Sequence, residues 1–98
     1  MILVTGSIVA KAGQVEALLA LSLEHVRRSR KDPGCLAHAV HRDAENPLRL
    51  VFVEEWLDRA ALLAHFAVPA SRGFVESATA LAAEPPALHI YDAEPWRA

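Results

Sequence analysis

The chain has 98 residues, enough for one domain with one hydrophobic core and too few for two. It is 53% hydrophobic with a formal net charge of −2, and this argues against nucleic acid as a partner, because phosphate binding needs clustered Lys and Arg. The single cysteine, Cys35, excludes an intrachain disulfide and a thiolate metal cluster.

The first residues offer only Ile2-Leu3-Val4 as a continuous apolar run, which is too short for a signal peptide or a membrane span. We therefore expect a cytoplasmic protein with no membrane partner.

Residues 2–10 are rich in β-branched and apolar side chains, and Lys11-Ala12-Gly13 follows them, so a first strand closed by a turn is predicted.

Residues 14–31 change to a helical period. The apolar stripe of this helix comprises Val15, Leu18, Leu19, Ser22 and Val26. Asp32-Pro33-Gly34 ends it, and residues 35–42 and 48–56 are two further strands joined by a polar hairpin loop. Asp58 is the predicted N-cap of a second helix that is interrupted near Pro69, and residues 88–93 form a last strand.

The resulting βαββαβ order predicts one α+β domain over residues 1–98. Its fold is ferredoxin-like, with two helices on one face of a four-stranded antiparallel sheet. In the third strand one face carries Leu48, Leu50, Phe52, Glu54 and Trp56, and the opposite face carries Val51 and Val53.

Both faces of this sheet are apolar, yet two helices can cover only one of them. We therefore predict a homodimer in which the uncovered sheets pack together as a dimeric α/β barrel. The alternative is a monomer whose strand residues reflect β-propensity alone.

The end of the third strand and the second helix are the candidate place for chemistry. Glu54, Trp56 and His65 could meet there at one cavity, although a histidine on an apolar helix stripe is also found as a hydrogen-bonded core residue. No two histidines show the spacing of a chelating pair, so no metal is predicted. The isolated glycines remove the usual grounds for a dinucleotide or flavin site.

Several segments, in order and over nearly the whole chain, resemble the antibiotic biosynthesis monooxygenase domain, a family that includes small quinol monooxygenases. They are Pro33-Gly34-Cys35-Leu36, His41-Arg42-Asp43, Glu54-Glu55-Trp56, residues 61–66 and Pro85-Pro86. The most specific part is Glu54-x-Trp56 followed by His65. The resemblance implies a sheet-to-sheet dimer that oxidises a quinol or polyketide-like hydroxyaromatic with molecular oxygen, without flavin, haem, metal or other cofactor.

The resemblance also implies roles for individual residues. His65 would be the general base or proton shuttle, and Glu54 its orienting or charge-balancing partner. The small aromatic substrate would contact Trp56, His38, Phe52, Phe66 and Phe74. The chain departs from many relatives in one respect, because Pro69 is followed by Ala70 and Ser71 where they carry a second histidine.

Two other functions remain open at this stage. A proton-transfer enzyme, such as an isomerase of a small carbonyl compound, would use the same histidine and carboxylate without oxygen. A dimeric ligand-binding protein without catalysis is equally compatible with the fold.

Overall fold

A computed structural model describes all residues, 1–98. The elements in chain order are β1 (Ile2–Val9), α1 (Val15–Ser29), β2 (Cys35–Arg42), β3 (Arg49–Trp56), α2 (Arg59–Ala67), α3 (Pro69–Leu81) and β4 (Ala87–Asp92). This confirms the α+β class and the order of the strands and helices. None of the helices is both long and apolar enough to cross a membrane.

The predicted second helix is in fact two helices, so the sheet carries three helices rather than two. Val68 is extended, with φ −64° and ψ 125°, because the ring of a following proline disfavours helical backbone in the residue before it. Pro69 then occupies the first turn of α3, where its missing N–H costs nothing. Asp58 caps α2 as predicted, since its Oδ1 accepts a hydrogen bond of 2.8 Å from the Ala61 N–H.

The four strands form one antiparallel sheet in the order β2-β3-β1-β4. Along β1 every second residue is buried, beginning with Ile2 and Val4, and the buried residues of β3 include Leu50 and Phe52. These side chains belong to the same hydrophobic clusters as residues of α1, α2 and α3. The helices therefore all cover one face of the sheet, as the strand pattern predicted.

The core beneath the helices consists of two separate apolar clusters. The larger contains Leu18, Leu50 and Phe52, and the smaller contains Val4 and Trp56. Along β3, Glu54 lies between Phe52 of one cluster and Trp56 of the other on the same face. A polar layer thus divides the core, and the functional side chains lie in it.

Gly34 sets the turn between α1 and β2. Its φ of 81° is left-handed, a conformation that favours glycine, and a Cβ at this position would lie 2.5 Å from the Ala61 Cβ of α2. The missing side chain lets the turn after α1 approach α2 closely. This contact places the start of the β2 segment beside the helix that carries His65.

The face without helices is partly apolar. Leu3 and Val51 are half-buried, whereas the exposed fraction is 37% for Val53 and 50% for Tyr91. On the helix side the edge strand β4 is also poorly covered, since Leu88 is 52% exposed and Ile90 is 49% exposed. The chain by itself therefore leaves apolar surface in contact with water on both sides of β4.

Candidate functional site

Three imidazoles from three different elements meet in the polar layer. They belong to His25 of α1, His38 of β2 and His65 of α2, and each residue is at most 6% exposed. Their ring centroids are 5.4 to 5.7 Å apart. The sequence predicted His65 and His38 as site residues but not His25.

His65 forms a hydrogen-bonded pair with a carboxylate. Its Nδ1 lies 2.8 Å from Oδ2 of Asp32, in the turn that follows α1. An ionised carboxylate only accepts hydrogen bonds, so Nδ1 carries the proton and Nε2 of the neutral ring keeps a lone pair. Trp56 packs on the same imidazole with ring centroids 4.5 Å apart. His65 is thus held in one orientation and one tautomer.

Glu54 does not have the partner that the sequence suggested. Its Oε1 accepts a hydrogen bond of 2.9 Å from the Trp56 indole N–H and lies 3.2 Å from Nε2 of His38. The carboxylate hydrogen-bonded to His65 is Asp32, so Glu54 does not orient His65, and of its two predicted roles only charge balancing is left. The sequence marks Asp32 only as the end of a helix. Its pairing with His65 could not be predicted, because that pairing depends on where α2 packs.

The pKa of Glu54 reflects two opposed effects. Burial disfavours the charged carboxylate and by itself raises the pKa. The contact with His38, the Trp56 N–H and the nearby His65 favour the charged form, and together they lower the pKa below its usual value. Glu54 is therefore a fixed negative charge within the polar layer.

His25 forms part of the wall of the site. Its ring stacks on Phe74 with centroids 4.0 Å apart and an interplanar angle of 6°. The Arg28 Nη2 lies 3.1 Å from Nδ1 of His25, and because a guanidinium only donates, Nδ1 is the acceptor and Nε2 carries the proton. The sequence could have indicated that His25 is buried, because position 25 follows Ser22 by three residues and adjoins Val26 on the buried stripe of α1.

Burial lowers the pKa of His25 from 6.5 to about 3, and the neighbouring His38, His65 and Arg28 add to this effect against the opposing charge of Glu54. The unfolded chain therefore binds a proton that the folded chain excludes, so the free energy of unfolding falls as pH falls below 6.5. From about pH 7 to about pH 5 we expect a loss of up to about 2 kcal/mol.

Urea unfolding at the two pH values, at one protein concentration and with a chelator present, measures this loss. His25→Phe keeps the stack on Phe74 and is expected to flatten the pH dependence. His41→Gln, on an exposed residue of β2, is the matched control and is expected to leave the dependence unchanged. An equally steep dependence in His25→Phe would contradict the role of His25.

A cavity of about 610 Å³ opens beside the polar layer, between α3 and the β1–β4 part of the sheet. Its surface is mainly apolar, and it has the size typical of small-molecule pockets. Five of the predicted site residues line it: Phe52, Glu54, His65, Phe66 and Phe74. The other two, Trp56 and His38, are buried behind the wall, where they contact His65 and Glu54.

Comparisons with known proteins agree on one family. The model of the family described as antibiotic biosynthesis monooxygenase matches residues 1–77. An uncharacterized protein of Synechocystis sp. is 37% identical over 90 residues, which cover 92% of this chain. The chain spans only 61% of the length of that relative.

Solved structures show the same fold. A crystal structure of an antibiotic biosynthesis monooxygenase is 33% identical, with a TM-score of 0.89, and the match covers 97% of this chain and 100% of that one. A protein from Deinococcus radiodurans is 22% identical with a TM-score of 0.94, over 100% of this chain and 97% of that one. A protein from Shewanella oneidensis is 27% identical with a TM-score of 0.87, over 92% and 87%.

Proposed function

The chain belongs to the antibiotic biosynthesis monooxygenase family, and from this premise we propose that it oxidises a hydroquinone or a polyketide-like hydroxyaromatic with molecular oxygen and without a cofactor. The observation that carries the proposal is the His65–Asp32 pair at 2.8 Å on the wall of an apolar cavity. The pair supplies a base where a phenolic ring can be bound away from water.

The first step is removal of the phenolic proton. Nε2 of His65 accepts it, and the Asp32 carboxylate stabilises the imidazolium that forms, as a carboxylate does when it holds a catalytic histidine. Deprotonation makes the ring electron-rich, and this allows the ring to reduce oxygen. Neither Glu54 nor His38 has to move a proton in this step.

His25 is positioned to assist the substrate oxygen. With Arg28 holding Nδ1 as an acceptor, the Nε2–H of this cavity-lining ring is the available donor. A neutral donor can stabilise the developing phenolate without competing for the proton that His65 removes. We assign His25 the role of hydrogen-bonding the phenolate.

The overall reaction balances without an external reductant. A hydroquinone and dioxygen give a hydroxyquinone and water: one oxygen atom enters the ring and the other leaves in water. The ring supplies all four electrons that reduce dioxygen. The apolar walls, including Phe52 and Phe74, bind the ring and limit the access of water.

Oxygen uptake with a panel of hydroquinones and hydroxyaromatics, measured with EDTA present, tests the proposal. With ¹⁸O-labelled dioxygen, mass spectrometry is expected to find one labelled atom in the product. The absence of uptake across the panel would reject the oxygenase. Proton exchange at a carbonyl substrate without oxygen would instead select a proton-transfer enzyme, and unchanged bound ligand would select a binding protein.

We also propose that a second copy of the chain covers the face without helices and forms a homodimer through sheet-to-sheet packing. Leu3, Val51, Val53 and Tyr91 provide the apolar surface that such packing would bury. Sedimentation analysis is expected to give twice the 10.7 kDa of one chain. A mass of one chain in dilute solution would reject the dimer.

A further inference from the structure

We propose that His25, His38 and His65 form a binding site for a divalent transition-metal ion, with Zn²⁺ the best-suited ion. One nitrogen from each imidazole lies within 4.8 Å of the other two. The three residues come from α1, β2 and α2, so the site exists only in the folded chain. Three histidines are a recognised protein ligand set for Zn²⁺.

The distances require only a small contraction. An ion at the centre of three atoms that are 4.8 Å apart would lie about 2.8 Å from each, whereas zinc–nitrogen bonds are about 2.0–2.1 Å. In a tetrahedral site the ion lies out of the plane of the three nitrogens, so each imidazole would move by about 0.9 Å or less. No rearrangement of the helices or strands is needed.

His38 gives an independent indication of a ligand. The residue is 3% exposed, and its Nδ1 has no hydrogen-bond partner. Its Nε2 has only the Glu54 carboxylate oxygen, at 3.2 Å. A buried imidazole nitrogen without a partner is costly, and coordination of an ion would satisfy it.

The surroundings suit a positive charge. Asp32 holds Nδ1 of His65 and leaves Nε2 as the ligand atom, the carboxylate–histidine arrangement found around zinc. Glu54 adds a buried carboxylate beside His38. The two negative charges offset the cost of burying a divalent cation.

Arg28 is the one group that opposes binding. It donates to Nδ1 of His25, yet coordination through Nε2 requires a proton on Nδ1, so Arg28 must turn away. Its guanidinium has two other partners, the Ala70 carbonyl oxygen and Glu24, which keep it satisfied. Arg28→Gln, whose amide oxygen can accept from Nδ1–H, is therefore expected to tighten binding.

Calorimetric titration of the metal-free protein with Zn²⁺, without substrate, tests the site. We expect one ion per chain, and Co²⁺ as a probe is expected to give the visible spectrum of a tetrahedral site. His38→Gln is expected to weaken Zn²⁺ binding by about 100-fold or more, and Asp32→Asn by about 10- to 100-fold. The exposed-histidine variants His41→Gln and His89→Gln are the matched controls and are expected to bind like the wild type.

X-ray absorption of the zinc-loaded wild-type protein avoids the risk that a buried variant misfolds. It is expected to show three imidazole ligands at about 2.0–2.1 Å. No binding of Zn²⁺, fewer than three imidazoles, or unchanged affinity in folded His38→Gln would overturn the site.

One consequence rests on the proposed function: bound Zn²⁺ takes the lone pair of His65 and is expected to suppress quinol oxidation. The metal site and the proposed oxidation can be rejected independently of each other, because metal binding is measured without quinol and oxidation is measured with EDTA.

Discussion

His65→Gln is expected to reduce kcat/KM for quinol oxidation by about 100- to 10,000-fold, the range lost when a general base is removed. Glutamine keeps a polar group of similar reach but cannot accept the phenolic proton. The residue is 3% exposed and lines the cavity, and its Nδ1 is held by Asp32, so the variant removes the one imidazole whose tautomer that carboxylate fixes.

Asp32→Asn keeps His65 in place but changes its tautomer, and so tests whether the hydrogen bond from Asp32 matters for catalysis. An asparagine amide can donate to Nδ1, which moves the ring proton to Nε2 and removes the lone pair that the reaction needs. We expect a loss of activity approaching that of His65→Gln, with little change in KM.

Glu45→Gln is the matched control, because Glu45 is exposed in the loop between β2 and β3 and does not line the cavity. Oxygen uptake under pseudo-first-order conditions measures all three variants. Wild-type rates in folded His65→Gln would remove His65 as the base.

Gly34→Ala is expected to lower the free energy of unfolding by about 2–4 kcal/mol. Left-handed backbone costs a residue with a Cβ about 1 kcal/mol, and the new methyl group would meet the Ala61 Cβ at 2.5 Å, an overlap that typically costs a further 1–3 kcal/mol. Urea unfolding at fixed protein concentration measures the change.

Gly13→Ala is a matched control with the same backbone but no contact, because Gly13 has φ of 80° and a Cβ added there would have no neighbouring atom within 4 Å. It is expected to cost only about 1 kcal/mol. The double variant Gly34→Ala with Ala61→Gly should recover the steric part of the loss. Equal losses in Gly34→Ala and Gly13→Ala would show that the contact with α2 is unimportant.

Much of the fold could be predicted from local patterns. The βαββαβ order predicts that the helices lie on one face of the sheet, although the apolar residues on both faces of β3 do not indicate which face. Asp58 is predicted as a cap because its neighbours in the chain decide that role. Pro69 predicts an interruption of the second helix. Because the residue before a proline leaves the helical region, the interruption is complete and the segment forms two separate helices.

The site was less predictable, since its pairs join distant parts of the chain. His65 and Asp32 are separated by 33 positions, and no periodicity links them. The sequence suggests that Glu54 lies near His65 because the two residues flank one strand-to-helix turn, but the register of β2 with β3 puts His38 opposite Glu54. The packing of α1 and α2 on the sheet brings His25 and His65 to His38, and the spacing of the three histidines in the chain gives no sign of this cluster.

The uncovered edge strand has a consequence for how a ring reaches the base. β1 is the only backbone partner of β4 and all six β4 residues are exposed, yet Ala87 and Leu88 form part of the cavity wall, while Asp92 at the other end of the strand pairs with Arg59. Elements with few buried contacts open locally at low free energy. Brief fraying of the Ala87 end would widen the cavity beside Leu88 and admit an aromatic compound, while the imidazole of His65 stays held by Asp32 and Trp56.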